Sequence, residues 1–145
     1  MKIEWAQEMS VGDETIDNQH KRLLSQLNEM KEELSSWGGV DVDPIRRTID
    51  FFEKYAYEHL DYEEEYMKEH NYPGLDKHKK IHDSFRKYFE DFKQKFSTMY
   101  TSGSLFTGYI KALLTEAEEF LADWWINHIL KEDHKYAVYI KTHEG

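Results

Sequence analysis

An all-α fold, an antiparallel up-down-up-down four-helix bundle with an N-terminal arm and a short C-terminal tail, is what this sequence predicts. Three observations predict it. Apolar residues recur every three or four positions along four long segments, the spacing of one helical face. The strongest breakers, seven Gly and two Pro, are largely bunched in "SSWGGVDVDP" (35–44), "HNYPGLD" (70–76) and "STMYTSGS" (97–104), which separate those segments. Finally, 145 residues with 39% hydrophobic and 33% charged side chains suit one soluble globular domain over 1–145 rather than a disordered chain.

The first fifteen or so residues form the arm, with Trp5 and Met9 as its anchors. The first helix carries His20, Leu23, Leu27, Met30 and Leu34 on one stripe. Asp43 followed by Pro44 marks the second start, an N-cap with Pro at the first helical position. From there Ile45, Ile49, Phe52, Ala56, His59, Glu63 and Tyr66 share a face. The third helix aligns His78, His82, Phe85, Phe89, Phe92 and Phe96, and the fourth aligns Ile110, Leu114, Ala117, Leu121, Trp124 and His128. Short links between helices of about 20 to 27 residues make neighbours antiparallel. The last dozen residues, with Tyr136, Tyr139 and Ile140, form a short amphipathic tail. There is no internal repeat, low-complexity tract or second domain.

Composition removes whole classes of function. A formal charge of -10 argues against nucleic acid and anionic membrane surfaces, which demand a basic footprint. The absence of cysteine excludes disulfides, iron–sulfur clusters and thiolate metal sites. The N-terminal "MKIEWAQEMS" lacks the apolar core of a signal peptide, and no run approaches a membrane span. A cytoplasmic protein is the expectation.

Five of the eight His lie on the core stripes or at their ends, where a bundle normally places Leu. The spacing of any one pair is weak, since chance supplies about one H-x-x-x-E in such a composition; that motif occurs at 59–63 and again at 128–132. Depth along the helices discriminates. In an up-down-up-down bundle the start of helix one, the end of helix two, the start of helix three and the end of helix four share one end. His20, His59 with Glu63, His78 with His82, and His128 therefore converge. Five buried imidazoles without a metal would be under-satisfied polar groups. Two ions bound by His and carboxylate are the economical solution, with Glu63 and an acidic residue near His128 as bridges. His70, His134 and His143 are expected to be solvated.

These residues carry a resemblance. "VGDETIDNQHKRL" (11–23), "HLDYEEEYM" (59–67), "YPGLDKHKKIH" (72–82) and "DWWINHILKEDHKY" (123–136) resemble the bacterial hemerythrins over nearly the full length. The family's ordered signature is one His, then H-x-x-x-E, H-x-x-x-H and H-x-x-x-x-D, and all seven positions are filled. The resemblance implies a non-haem di-iron centre. His78, His82 and His128 would bind one iron, and His20 and His59 the other. Glu63 and Asp133 would bridge them with an oxo or hydroxo group. Dioxygen would bind end-on to the five-coordinate iron as a hydroperoxide, reversibly, for transport, storage or delivery to an oxygen-using protein. A monomer that is not an enzyme is implied.

Helical geometry disagrees with one ligand. Five residues turn about 500°, so Asp133 would point about 140° away from His128. Glu132 at i+4 fits better; the resemblance selects Asp133, which requires the helix to end or unwind near 130. Asp83, beside His82, is a further rival, expected to be solvated. The chain also departs from the family where a Leu commonly covers the open iron, three residues before the last His. Trp125 stands there, after Trp124. Both serve either as core packing or, with Leu60 and Ile129, as the lining of the oxygen pocket. The His-rich donor set lacks the Glu-x-x-His pairs of ferritin-like di-iron enzymes, which suits binding rather than O–O cleavage. Reduction of nitric oxide or peroxide, and an oxygen or iron sensor module, are the competing functions.

Overall fold

All four apolar stripes form helices in the computed structural model, which describes residues 3–38, 42–101 and 107–144. They are α1 (Glu14–Ser36), α2 (Asp43–Glu69), α3 (Leu75–Thr101) and α4 (Thr107–Asn127), of 23, 27, 27 and 21 residues. A five-residue π turn, His128–Glu132, joins α4 without a break to α5 (Asp133–Glu144). In the ring of helices α1 packs on α2 and α4, and α3 packs on the same two. The fold is therefore the expected all-α four-helix bundle.

The helix ends follow local chemistry. Asp13 caps α1, its carboxylate accepting from the Ile16 amide at 3.0 Å. Gly12 precedes it at φ +84°, a conformation in which a Cβ is strained. At α2 the expected N-cap shifts by one residue. Val42 is the cap and makes no side-chain cap bond, while Asp43 lies in the first turn, where the helix dipole favours its charge. The helix stops at Asn71, whose φ of 55° is left-handed. The amides of Asn71 and Tyr72 return to the carbonyls of Lys68 (3.1 Å) and Met67 (3.0 Å), the paired bonds of a left-handed helix stop. The break expected over 97–104 comes later, because α3 runs on through Thr101. Ser and Thr only weaken a helix, and 102–104 lie outside the described residues.

Two apolar clusters flank the polar end of the bundle. The larger contains Leu23, Leu27, Phe52, Leu60, Phe85, Phe89, Leu121 and Trp125. The smaller contains Val11, Ile16, Met67 and Tyr136. Phe85, Phe89 and Phe92 follow one another at ring separations of 5.7 and 5.8 Å, so the Phe stripe of α3 is core. Tyr66 was expected on the α2 stripe, but Met67 is the residue fully buried there. The arm bears a 3-10 turn, Gln7–Met9, that packs on the π turn. Its start is tied to α1 by Asn28, which accepts from the Ile3 amide (2.8 Å) and donates to its carbonyl (2.7 Å). Met9 is buried as an anchor and Trp5 packs against the core from its edge.

The expected tail is a helix, and Tyr136 is fully buried in it. No helix is long and apolar enough to cross a membrane among the described residues.

Candidate metal centre

Between the two apolar clusters lie His20, His59, Glu63, His78, His82, His128 and Asp133, each no more than 3% exposed. α1 supplies the first, α2 the pair His59 and Glu63 at i,i+4, and α3 the pair His78 and His82 at the same spacing. His128 opens the π turn and Asp133 closes it. All seven sequence-singled residues are thus brought to one end of the bundle.

The π turn resolves the geometric conflict over Asp133. Its backbone amide donates to the His128 carbonyl, five residues back, so the wider turn brings position i+5 round to the face of position i. The helix neither ends nor unwinds; it widens. Glu132 consequently points away and accepts from Lys135 at 3.1 Å. Asp83 is also outside, holding the Arg86 guanidinium at 2.9 Å.

The side chains form two donor groups: Glu63, His78, His82, His128 and Asp133 in one, His20, His59, Glu63 and Asp133 in the other. Within each, one ligand atom per residue lies within 4.8 Å of every other. The carboxylates belong to both groups and divide their oxygens between them. Glu63 Oε1 lies 3.0–3.4 Å from Nε2 of His78, His82 and His128. Glu63 Oε2 lies 3.4–3.5 Å from Nε2 of His59 and His20. Asp133 Oδ1 faces His78 and His128 at 3.0 and 2.8 Å, and Oδ2 faces His20 at 3.1 Å.

Hydrogen bonding alone does not satisfy this cluster. His59 Nδ1 donates to Gln19 Oε1 at 2.6 Å and His82 Nδ1 donates to Glu64 Oε2 at 2.7 Å. When neutral, both rings therefore turn a lone pair inward on Nε2. Inward nitrogens face one another: His59 and His20 at 3.1 Å, His82 and His128 at 3.0 Å, His78 and His128 at 3.3 Å. Nδ1 of His20 and His128 is buried without a hydrogen-bond partner, and the Asp133 oxygens, though 2.8–3.1 Å from imidazole nitrogens, are not in hydrogen-bonding geometry with them. Convergent imidazole lone pairs and carboxylate oxygens, dry and under-partnered, are the donor set of cations. The cluster fits a di-iron site.

Its electrostatics in the metal-free chain point the same way. Burial pulls the His20 and His78 imidazoles down, but Asp133 and Glu63 outweigh it and raise both to about 9. His128 is raised by the same carboxylates against its burial. His59, with burial dominant, is lowered. Burial pushes the Glu63 and Asp133 carboxyls up, and for Asp133 so does Glu63. The surrounding imidazoles win, and both carboxyls are held below their ordinary range.

The aromatic neighbours separate into two positions. Trp125 is fully buried, its ring 5.7 Å from that of His59, with Leu60 and Ile129 in the same apolar cluster. Its indole Nε1 has no partner. Trp124 is half-buried and stacks on His128 at 4.5 Å with the planes 13° apart. His134 and His143 are exposed but helical, on α5, and His70 is half-buried at the end of α2, its ring 4.4 Å from Tyr66. None of the three joins either donor group.

Four contributors escaped the sequence reading. Tyr136 donates to Glu63 Oε2 at 2.9 Å; burial, then Glu63, push its phenol far above the ordinary value. Its position three residues after Asp133 was the available signal. Gln19 and Glu64 are sequence neighbours of His20 and Glu63, and Arg86, four residues after His82, donates to Glu64 at 2.7 Å.

Comparison with known proteins agrees with this geometry. Residues 11–140 match the family model "Hemerythrin HHE cation binding domain". A bacteriohemerythrin of Clostridium acetobutylicum is 34% identical over 133 residues, covering 91% of this chain and 96% of that protein. One from Stenotrophomonas maltophilia is 28% identical over 139 residues, covering 96% and 82%. A myohemerythrin of Theromyzon tessulatum is 28% identical over 134 residues, covering 92% and 89%. With a buried cation-type donor set at one end of a four-helix bundle, and a family match over nearly all of its length, this chain belongs to the hemerythrin family.

Proposed function

We propose that the chain is a non-haem di-iron protein that binds dioxygen reversibly. One ion would be held by His78, His82 and His128, the other by His20 and His59, with Glu63 and Asp133 available to both. The observation that carries this reading is the division of both carboxylates, one oxygen toward each group of imidazoles. Five protein donors lie on one side and four on the other, so an ion on the two-His side would have fewer protein ligands and more room for a small ligand. When bound, a diferrous pair would supply the two electrons that reversible capture of dioxygen at the peroxide level requires.

The rest is done by the protein. Trp125 is buried with its ring 5.7 Å from that of His59, and Leu60 and Ile129 belong to the same buried apolar cluster; together they would line the ligand site and keep water from it. Trp124 covers the His128 ring on the other side. Gln19 and Glu64 fix the ring orientation and tautomer of His59 and His82. Tyr136 anchors Glu63 through a hydrogen bond inside the dry cluster.

The test is anaerobic loading with ferrous iron followed by air, with metal counting and visible absorption. Two irons per chain and a coloured form that bleaches whenever oxygen is removed are expected. Fewer than two ions, or no colour, would overturn the reading. Repeated turnover of nitric oxide or peroxide would make the protein an enzyme instead.

A further inference from the structure

Three outer contacts of the metal centre are unequal between its halves. On the three-His side, His82 Nδ1 donates to a carboxylate, Glu64 Oε2, at 2.7 Å. That carboxylate is held in place from outside by Arg86 Nη2 at 2.7 Å, and Arg86 is fixed in turn by Asp83 and Asp61 at 2.9 and 3.0 Å. On the two-His side, His59 Nδ1 donates to a neutral amide oxygen, that of Gln19, at 2.6 Å. The third contact falls on the shared carboxylate. Tyr136 donates to Glu63 Oε2, the oxygen that faces His20 and His59, and leaves Oε1 to the three imidazoles opposite.

Both differences act in one direction. An anionic acceptor draws the Nδ1 proton outward and makes the opposite nitrogen of the ring a better donor, and its charge also attracts the ion. A neutral amide orients the ring without adding that charge. A phenol O–H occupies a lone pair of Oε2 and draws density from it, so that oxygen is the poorer metal donor. Of the remaining rings, His20 and His128, one on each side, are alike, since Nδ1 of each is without a partner.

Resting on the di-iron reading above, we propose that Gln19, Glu64 and Tyr136 are positioning residues that widen the inequality the donor count already sets, so that the three-His half binds a divalent ion first and the two steps are well separated. The two-His half then fills second and releases its ion first. The half that must stay open to a small ligand is thereby kept electron-poor and weakly held.

The experiment is an anaerobic titration of the full metal-free chain with cobalt(II), whose visible bands report coordination. Two steps of one ion each are expected, separated by at least about tenfold in affinity. Gln19→Glu tightens the second step by about 10- to 100-fold and leaves the first in place. A gain of affinity of that kind is not what structural damage produces. Tyr136→Phe moves the second step in the same direction. Glu64→Gln weakens the first step by a similar factor, about 10- to 100-fold, and leaves the second. Far-UV circular dichroism of each variant checks the fold. Two ions binding in one unresolved step, Gln19→Glu without effect, or Glu64→Gln acting on the second step would overturn the proposal while leaving the di-iron reading intact. Fewer than two ions in total would overturn both.

Discussion

His59 is held at both ring nitrogens: Nδ1 on Gln19 and Nε2 in the cluster beside His20 and Glu63. It lies on the side with fewer donors, so its loss cannot be covered by a neighbour. His59→Ala is expected to load one ion per chain instead of two, with helix content unchanged in far-UV circular dichroism. Normal loading and oxygen binding in that variant would show the assignment of His59 to be wrong. Trp125 stands beside it, fully buried, among Phe52, Phe85 and His59. Trp125→Leu removes aromatic volume from a packed wall, at a cost of about 2–5 kcal/mol by analogy with other large-to-small core changes. It also opens the two-His side to water, and the expected result is faster loss of the oxygenated spectrum in air-saturated buffer, read as its half-life.

At the scale of the element, the π turn is the device that makes α4 and α5 one continuous helix with two purposes. One added position per turn lets His128 and Asp133 share a face, and the same face three residues later carries Tyr136 to Glu63. The chain on either side remains α-helical, so the cost of the wide turn is local. Glu132, at the spacing an α-helix would favour, points at Lys135 instead. Asp133→Ala is therefore expected to lower metal loading below two ions per chain, whereas Glu132→Ala keeps both. Metal counting after ferrous loading distinguishes them, and the reverse outcome would return the bridge to Glu132.

For the whole molecule the metal centre is a pH-dependent element of stability. In the metal-free chain His20 and His78 are raised from 6.5 to about 9. Their contribution to stability is fully present below pH 6.5 and disappears as the pH rises through 9. His128 acts in the same sense and His59 in the opposite one. Glu63 and Asp133, held low, contribute stability above the ordinary carboxylate range that is lost on strong acidification. The melting temperature of the metal-free protein is therefore expected to fall between pH 6.5 and 9; a flat profile would contradict these charge states. Bound metal needs the imidazoles neutral, so loading at pH 7 releases protons and raises the melting temperature. A pH indicator in weak buffer reads the release.

The sequence by itself determined the four helices, because their apolar stripes have a period of three to four and their breakers lie between them. It also determined the end of the bundle where His20, His59, Glu63, His78, His82 and His128 meet, since up-down topology converts position in sequence into depth. Asp133 was legible only through resemblance. Regular α-helical spacing contradicts it, and a π turn is a tertiary choice, made where it completes a buried cluster. The helical tail and its Tyr136, the partners Gln19, Glu64 and Arg86, and the separation of Trp124 from Trp125 were also decided only in the folded chain. Each depends on how helices distant in sequence rotate against one another, an angle that the spacing within a single helix does not contain.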